Sequence, residues 1–127
     1  MRVLLAENDL EFLDLLAETL ERLGASVVCA RSGRELQHEI TAGDPFDLVV
    51  TDVSMPYRTG LEVMSSARAA GLACPIVVMT ASRDQITAAR AAALGHHVTV
   101  LYKPFSISEL CAAMRDCLAE LAPATAA

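Results

Sequence analysis

Phe46-Asp47-Leu48-Val49-Val50-Thr51-Asp52-Val53-Ser54-Met55-Pro56 carries an apolar run straight into a carboxylate and then into a turn containing proline. Bounded upstream by Gly43-Asp44-Pro45, the run reads as a strand buried on both faces. A charge in such a strand is costly unless it has chemical work to do. Asp52 is therefore expected at the carboxyl end of a central strand, at the mouth of a crevice, with the other chemistry-bearing residues converging on it.

Working outward, the same alternation recurs on both sides. Upstream, Arg2 to Ala6 and Ser26 to Ala30 read as strands. Between them Phe12, Leu13, Leu16, Leu20 and Leu23 recur at helical spacing up to Gly24. Ser32 and Glu35 form a capping-box pair ahead of a helix that buries Leu36 and Ile40. Downstream, Thr59 and Glu62 are a second such pair, opening a helix with Leu61, Met64 and Ala67 on one face. Pro75 to Thr80 is a fourth strand, and Ser82 or Asp84 caps an Ala-rich helix that ends at Gly95. Val98 to Tyr102 is a fifth strand, running into Lys103-Pro104-Phe105. Ser106 and Glu109 cap a last helix with Ile107, Leu110, Met114, Cys117 and Leu121 on one face.

Five strands alternating with five helices imply an α/β domain, a single doubly wound five-stranded parallel sheet of strand order 2-1-3-4-5. Residues 1–121 form the domain, and 122–127 read as a disordered tail or the start of a linker. Ligands of such sheets sit beyond the carboxyl ends of the strands, where the order switches between the first and third. That selects Glu7-Asn8-Asp9 and Asp52, with Thr80 and Lys103 ending the neighbouring strands.

Composition bounds the partners. The chain has 127 residues, 54% apolar and 20% charged, enough for one core without staples. A net charge of −6 speaks against direct binding of nucleic acid. No apolar run reaches the roughly 18 residues that span a bilayer, and no charged leader precedes Arg2-Val3-Leu4-Leu5, so the expectation is a soluble cytoplasmic protein with no membrane partner. Cys29, Cys74, Cys111 and Cys117 lack CxxC spacing and read as buried free thiols in a reducing compartment.

Clustered carboxylates repel unless a cation relieves them, and an open oxygen site suits Mg²⁺. A phosphoryl group is then the natural guest, with the Lys103 ammonium and the Thr80 hydroxyl on its oxygens and Asp52 as nucleophile.

Residues 2 to about 121 resemble a response-regulator receiver domain of bacterial two-component signalling, with a flavodoxin-like fold. The resemblance is carried by Asp52 in a D-x-x-M-P context with Gly60 downstream, Thr80-Ala81 after one apolar strand, and Lys103-Pro104-Phe105 after another. It implies a phosphoacceptor signalling domain rather than an enzyme, in which Asp52 takes a phosphoryl group from the histidine of a sensor histidine kinase or a histidine phosphotransfer protein. It also implies Mg²⁺ held by Glu7, Asn8, Asp52 and the Ser54 carbonyl, contacts from Thr80 and Lys103 to the phosphoryl group, and a downstream protein target or fused domain.

Three positions depart from the family pattern. Asn8 stands where the second acid, the direct metal ligand, is usual, which removes one charge; Asp9 is the neighbour that could compensate. Val100 stands where many receivers carry a switch aromatic, while Tyr102 lies next to the lysine; the ending resembles receivers fused to hybrid sensor kinases. Tyr57-Arg58 follows Met55-Pro56 where small or acidic residues are common, and Arg58 reads as a solvated loop residue. The rival reading is a degenerate receiver, a protein-interaction module that works without phosphorylation. His96-His97 reads as an exposed loop pair. The stripe on the last helix reads as core, with a homodimer seam as the alternative.

Overall fold

A computed structural model describes residues 1–119. Strands β1 (Arg2–Ala6), β2 (Ser26–Ala30), β3 (Leu48–Asp52), β4 (Ile76–Thr80) and β5 (Val98–Tyr102) alternate with helices α1 (Leu10–Arg22), α2 (Gly33–Thr41), α3 (Gly60–Ala69), α4 (Gln85–Ala92) and α5 (Ile107–Ala119). All strand pairs are parallel, in the order β2-β1-β3-β4-β5. The expected 122–127 tail and Leu121 lie outside the described residues.

Strands buried on both faces need two cores, and both are present. Val3, Leu5, Leu48, Val50, Val77 and Met79 pack on one face with Leu13, Leu16 and Leu20 of α1 and Leu110, Met114 and Cys117 of α5. Leu4, Val49, Ile76 and Val78 pack on the other with Leu36, Leu61, Met64, Ala91 and Leu94. Each fully buried Leu or Val here contributes roughly 1.5–3 kcal/mol relative to exposure. All five residues of β3 and of β4 are buried, whereas β2, at the sheet edge, keeps Ser26 and Cys29 exposed. Only Cys117 of the four cysteines is buried; Cys74 and Cys111 are half-buried and Cys29, on the edge strand β2, is exposed, which corrects the expectation of four buried thiols.

Other expectations need adjustment. Leu23 is 61% exposed because it is the C-cap of α1, so the helical period stops one residue before it, and Ile107 in the first turn of α5 is 42% exposed. The Thr59–Glu62 box closes in both directions. The Ser32–Glu35 pair closes in one: Ser32 Oγ accepts the Glu35 N–H, while the Glu35 carboxylate accepts from Arg31 N–H instead. Of the two candidate caps for α4, Asp84 is the N-cap, accepting the Thr87 N–H at 2.6 Å.

Gly60 follows from the way the chain leaves β3. A Cβ at this position would lie 2.1 Å from the Asp52 carbonyl oxygen and 2.7 Å from Thr51 Oγ1, so only glycine lets α3 begin this close behind the central strand. No described helix is long and apolar enough to cross a membrane.

Candidate functional site

The carboxyl ends of β1, β3, β4 and β5 place Glu7, Asp52, Thr80 and Lys103 together at one end of the sheet. Backbone ladders run on to the last residue of each. Glu7 N–H donates to Ala30 O at 3.0 Å, Val53 N–H to Met79 O at 3.0 Å and Lys103 N–H to Thr80 O at 2.8 Å. The polar side chains are therefore aimed by strands, which hold them better than loops would.

Lys103 Nζ lies 3.0 Å from Asp52 Oδ2 and 3.1 Å from each oxygen of Glu7. Glu7 is 2% exposed and Asp52 5%, so Asp52 sits deeper than the crevice mouth at which the sequence placed it. Asp52 Oδ1 accepts the Ser54 N–H at 3.3 Å, which fixes the carboxylate plane from the loop side. Two carboxylates and one ammonium leave a net negative charge in a desolvated place. Burial, then the neighbouring Asp52, pushes Glu7 up to about 7 against the pull of Lys103. For Lys103, burial lowers the proton affinity, but Asp52 and Glu7 outweigh it and hold the ammonium above its ordinary value.

Thr80 is 2% exposed, and its hydroxyl oxygen accepts the Ser82 N–H at 3.0 Å. The hydroxyl proton stays available to an acceptor in the cleft. No bond links Thr80 to Asp52 among the described residues.

The acids after β1 divide into separate jobs. Glu7 turns into the cleft; Asn8 is exposed. Asp9 is the N-cap of α1, its carboxylate accepting the Phe12 N–H at 3.2 Å, so it serves the helix. Among the described residues no group of three or more His, Cys, Asp or Glu is placed to hold a metal. The donor set is therefore two buried carboxylates with neutral oxygens beside them. This fits a hard cation that keeps most of its waters, as Mg²⁺ does, and such a cation would offset the burial and the neighbouring Asp52 that raise Glu7.

Arg58 is not the solvated residue expected. Its guanidinium bonds Gln37 Oε1 at 2.9 Å and Ser66 Oγ at 3.0 Å, tying the loop after Asp52 to α2 and α3. A cavity of about 610 Å³ beside it, lined by Leu61, Ser65 and Arg90, does not include the Asp52 group. Tyr102, which takes no part in the ion pairs, lies under the Arg83 guanidinium at 4.4 Å. His96 is exposed as expected, and His97 is half-buried with a φ of 64°.

One neighbour of the site carried no signal linking it to Lys103 in the sequence. Phe12, which the helical period marked only as core, has its ring 5.3 Å from Lys103 Nζ and 5.6 Å from the Phe105 ring.

Residues 3–115 match the family model of the response regulator receiver domain. The chain is 37% identical over 123 residues to the response regulator MprA of Mycolicibacterium vanbaalenii, covering 97% of this chain and 52% of that protein. It is also 37% identical over 116 residues to the response regulator protein PmrA of Pseudomonas aeruginosa, covering 91% and 51%. It thus spans about half the length of the curated relatives it matches. Among solved structures it resembles the receiver domain of the Francisella response regulator 1452, with a TM-score of 0.83 at 23% identity over 95% of this chain and 98% of that one, a likeness of fold. It also resembles the response regulator TrrA of Thermotoga maritima, solved in complex with Mg²⁺ and BeF, with a TM-score of 0.79 at 26% identity over 91% and 97%.

Proposed function

The chain belongs to the response regulator receiver domain family, and from that premise we propose that Asp52 accepts a phosphoryl group in a Mg²⁺-dependent reaction and thereby switches a protein-binding surface. The observation that carries the reading is the Lys103 ammonium, bonded at once to Asp52 and Glu7, which lie 51 and 96 residues away in sequence. A cation placed there neutralises charge that develops on oxygens bound to Asp52.

In the transfer, an Asp52 carboxylate oxygen attacks the phosphorus of a phosphohistidine. The P–N bond breaks, the P–O bond forms, and the electron pair returns to the imidazole, which takes a proton from solvent. Glu7 and Asp52, with neutral oxygens from Asn8 and the Ser54 carbonyl, would hold Mg²⁺, which when bound would supply charge neutralisation for the incoming phosphoryl oxygens. Ser54 N–H orients Asp52, Lys103 follows the phosphoryl charge, and the Thr80 hydroxyl donates to a phosphoryl oxygen while still accepting from Ser82. Because Thr80 and Ser82 share that bond, drawing Thr80 inward carries the β4–α4 loop with it. The population of surface states around α4, β5 and α5 then shifts.

The donor is a sensor histidine kinase or a histidine phosphotransfer protein in the cytoplasm, and the output is a protein target or a fused domain. The domain is assigned to residues 1–121. The interaction-only alternative has Asn8 and Val100 as its support, and the three-way contact of Lys103, Glu7 and Asp52 weighs against it.

The test is incubation with acetyl phosphate, with and without Mg²⁺, read by intact mass beside Asp52→Asn. The expected result is a gain of one phosphoryl group that needs both Mg²⁺ and Asp52. No gain in the native chain, with a gain restored in Asn8→Asp, would instead mark a phosphorylation-independent module.

A further inference from the structure

The Lys103 ammonium has carboxylates on two sides and a ring on a third. It lies 3.0 Å from Asp52, 3.1 Å from both oxygens of Glu7, and 5.3 Å from the centroid of Phe12. Phe12 is itself held from two directions. Its backbone N–H donates to the Asp9 cap at 3.2 Å, and its ring packs tilted at 55° against Phe105, two residues beyond Lys103. Resting on the Asp52 reading above, we propose that Phe12 is a positioning residue for Lys103, keeping the ammonium beside Asp52 while a divalent cation claims the carboxylates and before the phosphoryl group arrives.

The argument is one of competing charges. Without a divalent cation, Glu7 and Asp52 hold Lys103. A divalent cation between them has the same sign as the ammonium and weakens both ion pairs. Lysine is a compact, strongly hydrated charge on a flexible stem, and its side chain here is 23% exposed, so water is the ready alternative. The face of an aromatic ring attracts an ammonium through its quadrupole and carries no net charge for the metal to take. Among the described residues that contact Nζ, Phe12 is thus the one whose attraction a divalent cation does not offset before the phosphoryl group arrives. Asp9, by capping α1 at Phe12, fixes where that face stands. An aliphatic residue at position 12 would fill the space and lose the attraction.

Two readouts decide the matter. In a Mg²⁺ titration of the native protein followed by NMR, the Lys103 ε-methylene protons are expected to keep their upfield ring-current displacement at saturation. In Phe12→Leu they should move to the position of a solvated lysine. Migration to the solvated position in the native protein as well would overturn the proposal. In single-turnover phosphorylation by acetyl phosphate, Phe12→Leu is expected to be slower by roughly five-fold at unchanged Mg²⁺ affinity, with Phe12→Trp restoring the native rate. Equal rates in native and Leu proteins would overturn it, as would equal slowing in Leu and Trp proteins that tracks lost thermal stability. If the native protein takes up no phosphoryl group, the Asp52 reading fails, and the NMR titration still decides the placement of Lys103.

Discussion

The two ends of the sheet each hold a half-buried cation, and they treat it in opposite ways. At the amino ends of β4 and β5, Arg68 of α3 donates to four backbone carbonyls, those of Leu94 at 3.2 Å, Leu72 at 2.9 Å, Cys74 at 2.6 Å and His96 at 3.2 Å. Four of the five N–H donors of its planar fork go to neutral acceptors, which lock the α3–β4 and α4–β5 connections together. At the carboxyl ends, Lys103 is shared by two carboxylates that it cannot both neutralise. A cation satisfied by carbonyls is part of the scaffold. One set among unbalanced carboxylates leaves a deficit that a divalent cation or a proton can fill, and the raised Glu7 is its sign.

The contrast breaks first, and by the largest margin, at Arg68. Arg68→Met should cost roughly 2–4 kcal/mol in urea unfolding, equally at pH 5 and pH 8, because the lost acceptors do not titrate. A loss below about 0.5 kcal/mol would show that the carbonyls are served by water instead. Lys103→Met should behave differently. It leaves two buried carboxylates facing each other, at a cost of roughly 2 kcal/mol at pH 8 that shrinks toward pH 5 as one of them takes a proton.

Glu7→Gln sharpens the same point. Glu7 is raised from its ordinary 4.5 to about 7, so the folded state binds its proton more tightly than the unfolded state. The stability of the native protein without divalent cation therefore falls as pH rises from about 4.5 to about 7, and this contribution is flat above. Glu7→Gln should abolish that fall and be more stable than the native chain at pH 8, by on the order of 2 kcal/mol. Matching pH profiles would remove the electrostatic deficit from the account. The smallest effect is at Asp9. Asp9→Ala should lose the helix cap, about 1 kcal/mol, with Mg²⁺ affinity in a calorimetric titration unchanged. A clear loss of affinity would make Asp9 a ligand after all.

The strands were legible because burial on both faces leaves apolar runs too short for helices. β5 matches its expected bounds, and β4 begins at Ile76, one residue after Pro75, which lacks the N–H that a ladder needs. The convergence of Glu7, Asp52, Thr80 and Lys103 was legible because parallel topology brings strand ends together, whatever their distance in sequence. What the sequence could not carry was division of labour among like residues. Glu7 and Asp9 are two acids two positions apart, and only the start of α1 makes one a cleft residue and the other a cap. Arg58 read as solvated and Arg68 carried no reading at all, since nothing local reveals that distant carbonyls and amides await them. Phe12 carried a helical period but no sign of an ammonium from position 103.

The most direct test of the central claim is to locate the phosphoryl group. Protein treated with acetyl phosphate and Mg²⁺ is reduced with borohydride, which converts an aspartyl phosphate to homoserine, and then mapped by peptide mass spectrometry. The account predicts homoserine at position 52 alone, absent without Mg²⁺ and in Asp52→Asn. Homoserine at another aspartate, or at none while the protein is folded and bound to Mg²⁺, would contradict it.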